Sequence, residues 1–124
     1  MEGPKNALRC EPLEPGPLPV AHAFDIEEAK ERLSAARGGY EIVHRSRGLE
    51  VGVYVLVAPE ADRQQPHEDD EIYVVLEGRG VLEVGDVRVE LREGSAVFVP
   101  AGAEHRFVGY ELLSVLVIFE RTSA

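Results

Sequence analysis

From residue 40 to the end of the chain, apolar residues recur at every second position, in short runs cut by glycine and proline. That period belongs to half-buried strands rather than helices, because side chains alternate across a pleated sheet. Strands are expected over residues 40–47, 49–57, 71–77, 81–84, 87–91, 96–99, 105–108 and 110–119. The clearest is 49–57, where Leu49, Val51, Val53, Val55 and Val57 alternate with Glu50, Gly52, Tyr54 and Leu56. Gly85-Asp86 between two such runs is a two-residue hairpin signal. About seven or eight short strands, with turns roughly every ten residues, are the pattern of a closed all-β sandwich or barrel.

One helix is expected ahead of the strands. Asp25 can cap it, with Glu28 completing the capping box. Ile26, Ala29 and Leu33 share a face, and Gly38-Gly39 stops it. Before it, Pro4, Pro12, Pro15, Pro17 and Pro19 deny residues 1–22 helix or central strand, so an extended arm is expected. The expected organisation is therefore an arm over 1–22, a helix segment over 23–39 and one barrel domain over 40–124.

Charge and cysteine content exclude several functions. Thirteen Lys and Arg against 23 Asp and Glu give a net charge of −10, unsuited to nucleic acid or anionic membranes. Cys10 alone allows neither an intrachain disulfide nor a multi-cysteine metal site. The first residues lack the apolar run of a secretory signal, which makes a cytoplasmic protein the expectation.

Two stretches carry candidate chemistry. Gln65, His67, Glu71, Tyr73 and Val75 share parity, and Tyr73 and Val75 are on the face expected inside. Glu71 is then an inward carboxylate, which costs several kcal/mol unless compensated. A metal ion would compensate. His105 shares parity with Phe107, so its imidazole also faces inward. His67, Glu71 and His105 together would form a facial set with open positions, suited to Fe(II), Mn(II), Ni(II) or Zn(II). Glu68, Asp69 and Asp70 read as rim charges.

These residues carry a family resemblance. Gly94-x5-Pro100-x-Gly102-x2-His105 resembles the second motif of the cupin superfamily, and Glu71-x6-Gly78, with His67 before it, resembles the first. The spacer between them, 79–93, is similar to those of small bacterial cupins. The sequence departs from the family at Gln65, where a histidine is usual, and at Gly109, where an asparagine is usual. The resemblance implies a cupin double-stranded β-helix barrel holding one divalent metal on His67, Glu71 and His105. Gln65 would be a fourth ligand or a hydrogen bonder beside the ion. Tyr54, Tyr73, Val75, Phe98 and Phe107 are expected to line a pocket for a small organic molecule.

The resemblance also implies a set of activities. A metal-dependent dioxygenase is the leading expectation, since open positions on Fe(II) leave room for both substrate and O₂. An isomerase or epimerase, or a binding or sensing module without turnover, are the alternatives, and the residues do not separate them. Leu8, Leu13, Leu18 and Val20 on the arm, with apolar residues on both faces of 112–119, lead to the expectation of a homodimer.

Overall fold

The computed structural model describes residues 20–64 and 66–121. Gln65 and the arm residues Leu8, Leu13 and Leu18 lie outside them, and Val20 is exposed. One helix, α1 (Ile26–Ala35), precedes eight strands. These are β1 (Gly39–Arg45), β2 (Leu49–Val57), β3 (Glu71–Gly78), β4 (Gly80–Val84), β5 (Val87–Leu91), β6 (Ala96–Val99), β7 (His105–Val108) and β8 (Leu112–Glu120). They form a five-stranded antiparallel sheet in the order β1-β2-β8-β3-β6 and a three-stranded sheet in the order β5-β4-β7. Among the described residues no helix is long and apolar enough to cross a membrane.

Alternation explains what is buried where. On β2 the odd positions Val53 and Val55 face outward under α1, which lays Ile26, Ala29 and Leu33 over them. The even positions Tyr54 and Leu56 face the barrel interior, with Tyr73, Val75, Leu82, Phe107, Leu113 and Val115. Helix α1 starts where Asp25 Oδ1 accepts from the Glu28 amide at 2.9 Å. The double-sided apolarity of β8 has the same origin, since Leu112 and Leu116 pack against α1's cluster while Leu113, Val115 and Val117 fill the barrel.

Phe98 requires a correction. It is 56% exposed and does not line the interior. The register pairs Phe98 with Ile72 and Val99 with Glu71, so Val99 takes the inward position and Phe98 joins Ile72 on the outer face. Val75 and Phe107 do point inward, but as fully buried core beneath the cavity rather than as its walls.

The cavity sits at one end of the barrel. Across one level of the large sheet, Glu50 pairs with Phe119, Phe119 with Glu71, and Glu71 with Val99. One level deeper are Gly52, Val117, Tyr73 and Val97. Inward side chains of β2, β8 and β3 thereby line an opening of about 300 Å³ above the packed core.

Candidate metal centre

His67 and Glu71 line this opening, and the buried His105 meets Glu71 at its edge, so that three parts of the chain converge there. Glu71 starts β3, His105 starts β7, and His67 lies on the loop between β2 and β3. Two backbone bonds hold that loop: the Gly102 amide donates to the His67 carbonyl at 2.7 Å, and the Ala101 amide donates to Asp70 Oδ1 at 2.9 Å. The turn before β7 therefore fixes the loop that carries His67. Asp70, read from sequence as a rim charge, is exposed and serves as one of these fasteners. The His67 ring also stacks on Phe119, centroids 5.5 Å apart and planes 16° apart.

Glu71 is only 2% exposed. Its Oε1 lies 3.0 Å from His105 Nε2, and its Oε2 lies 3.9 Å from His67 Nε2. One ligand atom from each of the three residues lies within 4.8 Å of the others. Two neighbouring ligands about 2.1 Å from one small divalent ion are themselves about 3 Å apart, the separation seen between Glu71 and His105.

The hydrogen-bond inventory tests whether these residues fit a cation. His105 Nδ1 lies 2.9 Å from the Ala103 carbonyl, so in the neutral ring Nδ1 carries the proton and Nε2 presents a lone pair. Nε2 and Glu71 Oε1 then face each other as two acceptors. The Tyr73 hydroxyl is near both, at 3.0 and 3.1 Å, and also 2.9 Å from Gln64 Oε1, but it has one proton for three acceptors. Glu71 Oε2 is buried with no hydrogen-bond partner at all. A proton on His105 answers the first conflict. A divalent metal answers both, and the residues present fit one.

Without metal, the imidazole is pulled two ways. Burial pushes the His105 pKa down, but the hydrogen bond and charge of Glu71, with the Ala103 carbonyl, outweigh it and raise the pKa above 6.5. A protonated His105 thus stabilises the metal-free fold. That contribution is complete below the unfolded pKa of about 6.5 and disappears as pH rises through the higher folded value. The metal-free protein should lose stability as pH rises above about 6.5, as urea midpoints would record. His105→Ala should flatten that part of the profile, and an unaltered slope in the variant would contradict the assignment.

Two loop residues, Asp62 and Gln64, support the site. Asp62 is buried and accepts from the Tyr54 hydroxyl at 2.7 Å, Gln64 Nε2 at 2.7 Å and the Phe107 amide at 2.8 Å. Asp62 therefore orients Gln64, whose other end accepts from Tyr73. Burial first, and then the neighbouring Glu71 carboxylate, hold the Tyr73 phenol well above its ordinary pKa, so it stays a neutral donor. Tyr54 is raised likewise by burial and by Asp62. Gln64 lines the opening, while the expectation for Gln65 lies outside the described residues. No periodicity marks Asp62 or Gln64, because both lie on an irregular loop. His22 and His44 do not line this cavity: His44 stacks on Phe24, and His22 meets Phe24 edge-on and His44 at a tilt.

Residues 53–119 match the sequence profile described as the cupin domain. The chain belongs to the cupin family. Its barrel superimposes on a cupin superfamily protein of Desulfitobacterium hafniense with a TM-score of 0.62, over 67% of this chain and 76% of that one, at 19% identity. This cupin is also 41% identical over 98 residues to an uncharacterized protein of Streptomyces coelicolor, covering 78% of this chain and 93% of that protein. A further similarity, 35% over 74 residues, is to an acireductone dioxygenase of Leishmania major. It spans 55% of this cupin and only 22% of that enzyme. With the family established, His67, Glu71 and His105 are a His-Glu-His cluster of a cupin barrel, able to hold a divalent metal.

Proposed function

We propose that this cupin is a metal-dependent dioxygenase acting on a small organic molecule held in the barrel opening. The observation that carries the reading is the convergence of His105 Nε2, both oxygens of Glu71 and His67 Nε2 beside a cavity of about 300 Å³ that His67 and Glu71 line. Partial similarity to acireductone dioxygenases supports the choice of reaction class. A divalent metal bound there, most plainly Fe(II), would supply Lewis acidity and open coordination positions.

The protein's own groups have definable tasks. Glu71 contributes the negative charge and, with two neutral imidazoles, leaves the site net positive towards a chelating, electron-rich ligand. The Tyr73 hydroxyl, kept neutral, lies 3.0 Å from His105 Nε2 and 3.1 Å from Glu71 Oε1, where its one proton can turn from Gln64 towards a bound molecule. Val117 and Phe119 form the apolar wall that keeps bulk water from the far side.

The test is oxygen uptake by the Fe(II)-loaded protein with small enediols and β-diketones, which chelate through two oxygens. At least one class should consume O₂ in proportion to substrate, and His105→Ala should not support it. If the iron form binds such molecules but none triggers uptake, the dioxygenase reading falls and a binding module without turnover takes its place.

A further inference from the structure

We propose that Glu50 selects the ligand class of the barrel opening: a neutral or cationic small molecule that chelates at the His67-Glu71-His105 end and donates a hydrogen bond to Glu50 at the other. The inference rests on the metal reading above and goes beyond it, because it concerns the part of the ligand that does not touch metal. Glu50 has no place in either cupin-like motif.

Geometry puts Glu50 opposite the cluster. Phe119 pairs with Glu50 on one side and Glu71 on the other, so the two carboxylates sit on the same level, two strand spacings apart. That is about 9–10 Å between backbones, with both side chains turned into the cavity. A short ligand can therefore reach from one to the other.

Glu50 is fixed in place yet incompletely used. It is 7% exposed. Arg45 donates twice to Oε1, from Nε at 3.0 Å and from Nη2 at 2.9 Å, and the Tyr40 hydroxyl donates to Oε2 at 2.9 Å. A carboxylate has about four acceptor positions, so one remains on Oε2. Arg45 does not line the cavity, and its side chain is half exposed at the rim. The opening is therefore lined by the carboxylate with its free acceptor position and not by the guanidinium.

The sequence makes room for this arrangement. Gly52 faces inward on β2, and a Cβ there would fall 2.3 Å from the ring carbon and hydroxyl oxygen of Tyr40. Any side chain at 52 would displace the tyrosine that holds Glu50. Gly52 has no left-handed φ to explain its presence, so the glycine serves the Tyr40 ring.

The described residues that line the opening include two carboxylates and neither lysine nor arginine. Asp62 stands behind Gln64, and the chain carries a net charge of −10. Once the chelating head has taken the metal, an anionic tail at the far end would meet the Glu50 carboxylate with no lysine or arginine lining the opening beside it, whereas an ammonium or hydroxyl tail finds the free position on Glu50.

Cobalt-loaded protein, whose visible absorption reports ligands at the metal, provides the test. The probes are three hydroxamic acids with one chelating head and one spacer: 3-aminopropanohydroxamic, butanohydroxamic and succinic monohydroxamic acid. The ammonium tail should bind at least ~10-fold more tightly than the carboxylate tail, with the neutral tail between them. Glu50→Gln should bring all three within about 2-fold while cobalt uptake stays at one per chain. Equal or tighter binding of the succinic probe by the natural protein overturns the inference whether or not the variant folds. So does a Glu50→Gln protein that keeps the full preference. Failure to take up cobalt overturns the metal reading and this inference with it. Uptake with the wrong order of tails overturns this inference alone.

Discussion

His105→Ala should reduce metal affinity by about 100-fold or more while the barrel stays folded. Changing a group that merely orients a ligand already costs roughly 10–100-fold, and here one of three protein ligands is removed outright. The fold should survive because it rests on the apolar interior formed by Tyr73, Val75, Leu82, Phe107, Leu113 and Val115, beneath the imidazole. Glu71 loses its nearest partner in the variant, which costs some stability, but it stands at the cavity edge, where water can replace the ring. Metal content after dialysis, alongside far-ultraviolet circular dichroism, separates the two effects. Full metal occupancy in a folded variant would remove His105 from the site.

Gly78→Ala should be among the most damaging single changes to the fold, at about 3 kcal/mol or more. Gly78 ends β3 with φ +92°, a conformation that costs a residue bearing Cβ about 1–2 kcal/mol by itself. Its added Cβ would also lie 1.9 Å from the Leu112 carbonyl oxygen and 2.9 Å from the carbonyl carbon. Both are backbone atoms of the central strand β8, so relief requires prising β3 from β8. Gly102→Ala is the matched control. Gly102 has φ +80° but open space around its missing Cβ, and its amide bond to His67 is retained. Its cost should stay near 1 kcal/mol. Urea denaturation of the two variants checks the contrast, and equal small losses would mean that Gly78 does not touch β8.

The inward positions of Glu71 and His105 are legible in the sequence because each shares a strand with an aromatic residue of matching parity, Tyr73 and Phe107. Glu50 is legible by the same rule, since Tyr54 on β2 fixes which positions face in, but no motif draws attention to it. Phe98 is misassigned because β6 has only four residues, all small or apolar, and supplies no alternation. Its facing is settled by pairing with β3, a long-range contact that periodicity does not contain. Asp62 and Gln64 are invisible for a related reason. Their roles come from a loop laid across the barrel mouth and pinned to the Phe107 amide, 45 residues along the chain. Local pattern thus reveals strands and faces, while the partners of a buried hydrogen-bond chain emerge only from tertiary contact.

The central claim is that one divalent metal sits between His67, Glu71 and His105. Anomalous diffraction at the metal absorption edge, from crystals of protein loaded with one equivalent of Fe(II) or Co(II), tests it most directly. One strong peak per chain is expected, bounded by His67 Nε2, the Glu71 carboxylate and His105 Nε2. A peak elsewhere on the protein, with that space holding only water, would contradict it.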